Sequence, residues 1–132
     1  MARKNSYFPV DGSFHQPIVF AASWAPNGSS AVASSSVLGS RFTVARTNTG
    51  VFTITFNDVF PDMIAASAQL IADVVPTSTS KLVSASISSY NKTNKTLIVT
   101  LADNTGTAVD VASSNNARVS VIAIFKGSVA KN

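Results

Sequence analysis

Short runs in which apolar and polar residues alternate, separated by turn residues, constrain this chain more than any other feature. In VFTITF, residues 51 to 56, the side chains of Phe52, Ile54 and Phe56 share one face. Alternation with a period of two is typical of a β-strand that buries one face. Such runs recur at roughly ten-residue spacing, which predicts an all-β fold, an antiparallel β-sandwich or barrel.

The first two runs predict a β-hairpin. Phe42 and Val44 share one face of the first arm, and TNTG joins it to the second arm. Gly50 in this turn can adopt a positive φ without steric strain. The following NDVFPD is predicted to be the corner where the chain leaves the sheet.

Four later runs are predicted strands: KLVSASISSY, KTLIVTLAD, TAVDVA and ARVSVIAIFKG. In the last run Val119, Val121, Ala123 and Phe125 line one face. Ile122 and Ile124 line the other face, which is compatible with burial on both sides.

Residues 63–75, MIAASAQLIADVV, fit two patterns. Ile64, Ala68, Ile71 and Val75 have helical spacing, and alanine and leucine favour helix. Alternation instead places Ala66, Ala68, Leu70 and Ala72 on one side of a strand. We favour the strand because the neighbouring segments are strands, and the helix stays open as the alternative.

Residues 1–36 are predicted to form an extended N-terminal arm and a linker rich in Ser, Ala and Gly, before a β-domain at 37–132. Prolines interrupt the aromatic residues of the arm, which argues against a helix. PIVFAASWA could form an edge strand, and residues 26–36 are predicted to be a flexible loop. Because aromatic side chains dominate cores and interfaces, we assign partner binding to these arm residues: Arg3, Lys4, Tyr7, Phe8, Phe14 and Trp24.

The composition favours a protein that contacts other proteins. Only 12% of the 132 residues are charged, with six Asp and no Glu, about half the usual share. The polar surface must therefore consist mainly of Ser, Thr and Asn, which can approach a neighbour with little desolvation of charge. Such a surface suits an assembly better than a free monomer.

Several other partners are disfavoured. The ten Lys and Arg residues behind the net charge of +4 are scattered along the chain, whereas nucleic-acid binding expects a basic cluster. No window approaches ~18 consecutive apolar residues, so no membrane span is predicted. The N-terminus lacks the apolar region of a secretory signal, which predicts assembly in a cytoplasm.

Few residues have side chains suited to catalysis or metal binding. We therefore predict that the protein is not an enzyme and has no cofactor, metal site or small-molecule substrate. The chain has no cysteine and a single histidine, His15, which is a weak start for a metal site or a catalytic triad. Asp58 and Asp62 flank the DVFPD corner, and Asp103 and Asp110 bracket NTGTAV. Turn chemistry accounts for these carboxylates better than acid–base catalysis does.

Two stretches, RTNTGVFTITFNDVFPDM and KTLIVTLADNTGTAVDVASSNNARVSVIAIFKGS, resemble the small β-rich virion proteins of tailed bacteriophages that decorate, or cement, capsids. The matching places in the first stretch are Gly50, Phe52, Asp58 and Phe60-Pro61. Those in the second stretch are Gly106, Asp110, Ala112 and Arg118. From the start of the first stretch to the end of the second, the resemblance spans about two-thirds of the chain, and residues 1–36 fall outside.

The resemblance implies a protein on the outer surface of the virion capsid. Its expected partners are the major capsid protein and further copies of itself, as a dimer or trimer. Two alternatives stay open at this point: a shell-forming coat protein of a small virus, and a tail or head-fibre component.

Overall fold

The computed structural model describes residues 17–73, 76–78 and 81–127. Within these ranges the chain forms eight β-strands: β1 Ile18–Trp24, β2 Phe42–Asn48, β3 Val51–Phe56, β4 Met63–Ile71, β5 Thr77–Ser78, β6 Lys81–Asn91, β7 Thr96–Asp103 and β8 Arg118–Phe125. Single 3₁₀ turns occur at Ser34–Ser36 and Ser113–Asn115.

The strands form two antiparallel sheets that pack face to face. One has three strands in the order β1-β8-β4, and the other has five in the order β2-β3-β7-β6-β5. The all-β sandwich predicted from the sequence is therefore confirmed. The predicted hairpin is β2–β3, in which Phe42 lies opposite Phe56 and Gly50 adopts a φ of 64° at the turn.

Alternate residues of both sheets fill the core, as the period-two pattern requires. The inner face of β8 predicted from the sequence is buried, and so is the inner face of β3. The largest fully buried side chains are Trp24, Phe52, Ile54, Phe56, Leu97, Val99, Leu101, Val119, Val121 and Phe125.

An aromatic cluster closes the core beneath the NDVFPD corner. The ring of Phe60 stacks on Phe125 with centroids 4.5 Å apart and meets Phe56 edge-on at 5.0 Å. The Tyr90 hydroxyl donates to the Pro61 carbonyl at 3.4 Å. Aromatic pairs of this kind add to the stabilisation that burial alone provides, so Phe60 anchors the corner to the core.

The ambiguous segment is a strand, and the helical alternative is wrong over the described residues. β4 pairs with β8 from Met63 to Ile71, with an irregularity between Met63 and Ala65. Ala66, Ala68, Leu70 and Ala72 pack toward the core, as the alternating pattern indicates. Val74 and Val75, at the end of the predicted segment, lie outside the described residues.

The predicted strand TAVDVA is wrong. Over residues 107–112 only Ala108 forms a bridge, to Ala102, and the Val109 amide donates to the Leu101 carbonyl. β6 pairs with one edge of β7 up to Asp103, and β3 pairs with the other edge up to Thr100. Only the last residues of β7 are therefore free to pair with this segment, which is too little for a strand.

The predicted domain boundary at residue 36 is wrong for β1, which it placed in the arm. β1 pairs with β8 along its whole length, from Ile18 opposite Phe125 to Trp24 opposite Val119, so it belongs to the sandwich. It is an edge strand, as PIVFAASWA suggested. The loop at 26–36 is tied to this sheet, because Ser36 Oγ accepts from the Ala25 amide and the Ser36 carbonyl accepts from Arg118.

Candidate protein-binding face

The outward surface of the three-stranded sheet, which we call the outer face, is the candidate site. Since side chains alternate along a strand, residues next to buried ones point away from the core. The outer face consists of Val19, Ala21 and Ser23 from β1, Ser120, Ile122 and Ile124 from β8, and Ala65, Ser67, Gln69 and Ile71 from β4. Leu38 joins it through a bridge to Ser23.

The strand register arranges these residues in three rows. Val19, Ile124 and Ala65 form the first row, Ala21, Ile122 and Ser67 the second, and Ser23, Ser120 and Gln69 the third. Apolar side chains dominate the first two rows. Monomeric soluble proteins rarely expose large contiguous apolar patches, and those that they expose are often functional.

The outer face has a ridge between two depressions. Ile122 stands in the middle of the central strand with 52% of its surface exposed. On the β1 side lies a depression of about 390 Å³ lined by Ala21, Ser23, Leu38, Gly39 and Ser120, among others. On the β4 side lies one of about 140 Å³, lined by Ala65, Ala66, Ser67, Ile122 and Ile124. Small side chains beside a bulky one create this relief.

Charge is confined to the ends of the outer face. No residue of the three rows is charged. At one end Arg118 lies opposite Ile71, and its guanidinium donates from Nε to Ser23 Oγ at 2.5 Å and from Nη2 to the Ser36 carbonyl. Lys126 follows β8 at the other end. The rows themselves can therefore be covered without desolvating an ion.

The sequence alone allowed burial of β8 on both faces, but in the structure only one face of β8 is buried. The inner residues of β8 are buried, but Ile122 is exposed and Ile124 is half-buried. Nothing within the described residues lies over this face of the sheet. Burial of Ile122 thus requires another surface to cover it.

The outward surface of the five-stranded sheet is different in chemistry. One row across it consists of Thr43, Thr55 and Thr96. Hydroxyl groups on this sheet also bond to one another, as between Thr47 and Thr53 at 3.1 Å. Hydroxyl groups can remain hydrated, so although Leu82 on β6 is also exposed, this surface gives less reason to expect a partner than the outer face does.

The predicted partner-binding residues fall into two groups. Arg3, Lys4, Tyr7, Phe8 and Phe14 lie outside the described residues, as does His15. Trp24 is fully buried and packs against Phe52 with ring centroids 5.6 Å apart. Its assignment to partner binding is therefore wrong, because the inward position on β1 places the indole in the core.

The aspartates near the corner do not act as a pair. Asp58 accepts two hydrogen bonds from Arg41, at 2.8 and 2.6 Å, and Asp62 accepts one from Lys92 at 3.2 Å. The Arg41 guanidinium lowers the pKa of Asp58. Over the described ranges no three His, Cys, Asp or Glu residues cluster to hold a metal ion.

Asp103 and Asp110 organise local structure. Oδ1 of Asp103 accepts from the amides of Thr105 and Thr107, which is the turn chemistry expected from the sequence. Asp110 instead bonds to residues that are distant in the sequence. It accepts hydrogen bonds from Arg46 Nε at 2.9 Å, from Arg46 Nη2 at 2.7 Å and from the Gly50 amide at 2.8 Å. This interaction fastens residues 107–112 to the β2–β3 turn, and the sequence did not reveal it.

These contacts predict that Asp110 contributes to acid sensitivity. The hydrogen bonds from Arg46 lower the pKa of Asp110 in the folded protein, against about 3.9 in an unfolded chain. A depressed folded pKa adds stability that is present above the unfolded pKa and is lost as the pH falls toward the folded one. Plots of unfolding free energy against pH below about pH 5 should therefore be shallower for Asp110→Asn than for the wild type.

The matched variant for this measurement is Arg46→Gln. It leaves the carboxylate in place but removes the group that lowers its pKa, so its acid slope should also be shallower than that of the wild type. A wild-type slope in both variants would show that Asp110 does not couple folding to protonation.

Comparison of this chain with known proteins finds no match. The described part of the chain contains no helix long and apolar enough to cross a membrane. No protein-family model, no curated protein and no solved structure matches the sequence or the fold.

Proposed function

We propose that this chain is a capsid decoration, or cement, protein of a tailed bacteriophage that binds the major capsid protein lattice from outside and stabilises it. The observation that carries the proposal is the outer face, an apolar sheet surface with no charge in its three rows, which indicates a subunit of a protein assembly. Such a surface favours contact with protein over contact with nucleic acid, which requires basic groups. The contact with the capsid itself is assigned to the arm residues Tyr7, Phe8 and Phe14.

The positions that carry the resemblance to capsid decoration proteins maintain the fold here. Gly50 and Asp110 bond to each other, Phe52 and Phe60 pack in the aromatic core, and Arg118 ties β8 to the 26–36 loop. These positions therefore serve the sandwich scaffold of this chain. The contact with the capsid then depends on residues outside the motif.

Co-sedimentation with capsids prepared without the protein tests this function. We expect saturable binding and a higher melting temperature of the loaded capsid, since a ligand that binds only the assembled state stabilises it. A folded protein that neither co-sediments nor changes the melting temperature would refute the proposal. Expression of the chain alone as large particles rich in nucleic acid would instead indicate a shell-forming coat protein.

Deletion of residues 1–16 should weaken capsid binding while the sandwich still folds. The arm carries Tyr7, Phe8 and Phe14, whereas β1 begins at Ile18, so this deletion removes no residue of the described strands. We expect a loss of affinity of at least about tenfold, which corresponds to about 1.4 kcal/mol. Binding is measured by titration of capsids, and the melting temperature of the free protein is the control for folding.

A matched variant with alanine at Tyr7, Phe8 and Phe14 keeps the arm length. It should reproduce most of the loss if the aromatic side chains make the contact. Full affinity in both variants would exclude the arm from capsid binding.

A further inference from the structure

We infer that the outer face is a self-association surface, on which a second copy of this chain packs face to face about a two-fold axis. The inference rests on the proposed function only in that both describe an assembly subunit; the dimer itself is a property of the free protein. Ile122 of each copy occupies the β1-side depression of the other.

The relief of the outer face is self-complementary. The Ile122 ridge and the depression lined by Ala21, Ser120 and Leu38 are adjacent on one surface. A two-fold axis brings the same patch of both copies together, so each contact from ridge to depression occurs twice. The depression is open to solvent, so an isoleucine side chain of a second copy can enter it, and the small residues around it let two sheets approach to the usual ~10 Å.

The charge pattern also fits a copy of the same chain. When a surface meets itself, any charge near the axis faces an identical charge, which is destabilising. The three rows of the outer face carry no charge, and the guanidinium of Arg118 is already bonded to Ser23 and Ser36 of its own chain. A surface suited to a different protein usually carries charges that the partner complements.

The area of the outer face indicates a reversible dimer. The outer face is about four strand widths of ~4.8 Å across, because the chain at Leu38 lies beside β1 and adds one width to the three strands. Along the strands it is about eight residues of ~3.3 Å long. The planar footprint is therefore roughly 500 Å² per copy. Two copies would bury on the order of 1,000 Å², near the lower limit for a specific interface, so the dimer should dissociate on dilution.

Analytical ultracentrifugation of the free, full-length protein from low micromolar to submillimolar concentration tests this inference. We expect the mass to rise from that of the 13.7 kDa chain to twice that value. Ile122→Lys should remain monomeric over the range, because it places an ammonium group where the partner offers none. The matched control is Leu82→Lys, an exposed leucine on the other sheet, which should dimerise like the wild type.

A complementary pair of variants tests the predicted geometry. Ala21→Asp places a carboxylate in the depression, so this variant alone should also be monomeric. Mixed with Ile122→Lys, it should form a heterodimer, because the lysine of one copy then meets the aspartate of the other. The melting temperature of each variant confirms that it is folded. A mixture that stays monomeric although both proteins are folded would overturn the ridge-to-depression contact.

Other outcomes separate the inference from the proposed function. A wild type that is monomeric at submillimolar concentration, or a dimer or trimer that Ile122→Lys leaves intact, would overturn the inference, whether or not capsids bind the protein. Loss of capsid binding in Ile122→Lys with no change in mass would assign the outer face to the capsid and also overturn it. A dimer broken by Ile122→Lys but without affinity for capsids would support the inference and refute the proposed function.

Discussion

Replacement of Trp24 by alanine is expected to lower the free energy of unfolding by about 3–5 kcal/mol, the range for removal of a buried tryptophan or phenylalanine. The indole is fully buried between the sheets and packs on Phe52. Its removal leaves a cavity at the end of β1, where the strand pairs with Val119 of β8. Denaturant titration followed by circular dichroism measures the change.

Two variants show whether burial causes this loss. Val19→Ala lies on the same strand but on the outer face, where Val19 is 67% exposed, so it should change stability by only about 0.5 kcal/mol in the monomer. Trp24→Phe should destabilise less than Trp24→Ala, because it keeps an aromatic ring and removes an Nε1 group that has no hydrogen-bond partner among the described residues. Similar stabilities of Trp24→Ala and Val19→Ala would contradict the placement of the indole in the core.

Replacement of Gly50 by alanine is expected to destabilise the protein by about 2–5 kcal/mol, from backbone strain together with overpacking. Gly50 has a φ of 64°, and a Cβ there would lie 2.5 Å from the Val109 carbonyl oxygen and 2.6 Å from that of Leu101. Both neighbours are backbone atoms, one in residues 107–112 and one in β7, so relief requires the β2–β3 turn to move away from both. That movement would also break the bond from the Gly50 amide to Asp110.

Gly106→Ala is the matched control for the Gly50 variant. Gly106 also has a positive φ, 85°, but no described atom lies within 4 Å of the position of its Cβ. It should therefore show only the strain of the left-handed backbone, about 1–2 kcal/mol. Equal losses in the two variants would show that the close approach of Val109 and Leu101 has no energetic effect.

The strands were predictable where a local pattern carried the information. The alternation at Phe52, Ile54 and Phe56 identified β3 and its inner face, and Gly50 identified the turn before it. Residues 63–75 were harder, because alanine-rich sequence fits helix and strand alike. Pairing with β8 decides for the strand over Met63–Ile71, and a sequence pattern does not contain that partner.

The two incorrect sequence predictions, TAVDVA as a strand and Trp24 as a partner-binding residue, also depend on pairing with strands that the local sequence does not reveal. TAVDVA alternates like a strand, but β3 and β6 already pair with most of β7, so the segment has almost no edge to join. Trp24 resembled an arm residue because prolines and a long loop surround it. Its strand pairs with β8, almost a hundred residues later in the chain, and that pairing turns the indole inward.

The candidate site could be recognised only in part. The alternation of β8 placed Ile122 and Ile124 on the face opposite Val121 and Ala123, but it allowed burial of both faces and did not show whether another part of the chain covers these two residues. The contribution of Ala21 and Ala65 to the same surface depends on register with strands far away in sequence.

By itself, the sequence determined the all-β class, the position of most strands and the inner face of each, because period-two alternation is a local property of the backbone. The tertiary structure alone decided which strands are neighbours, that Asp110 bonds to Arg46, and that none of the described residues covers the outer face. These features depend on contacts between residues distant along the chain, and no short stretch of sequence encodes them.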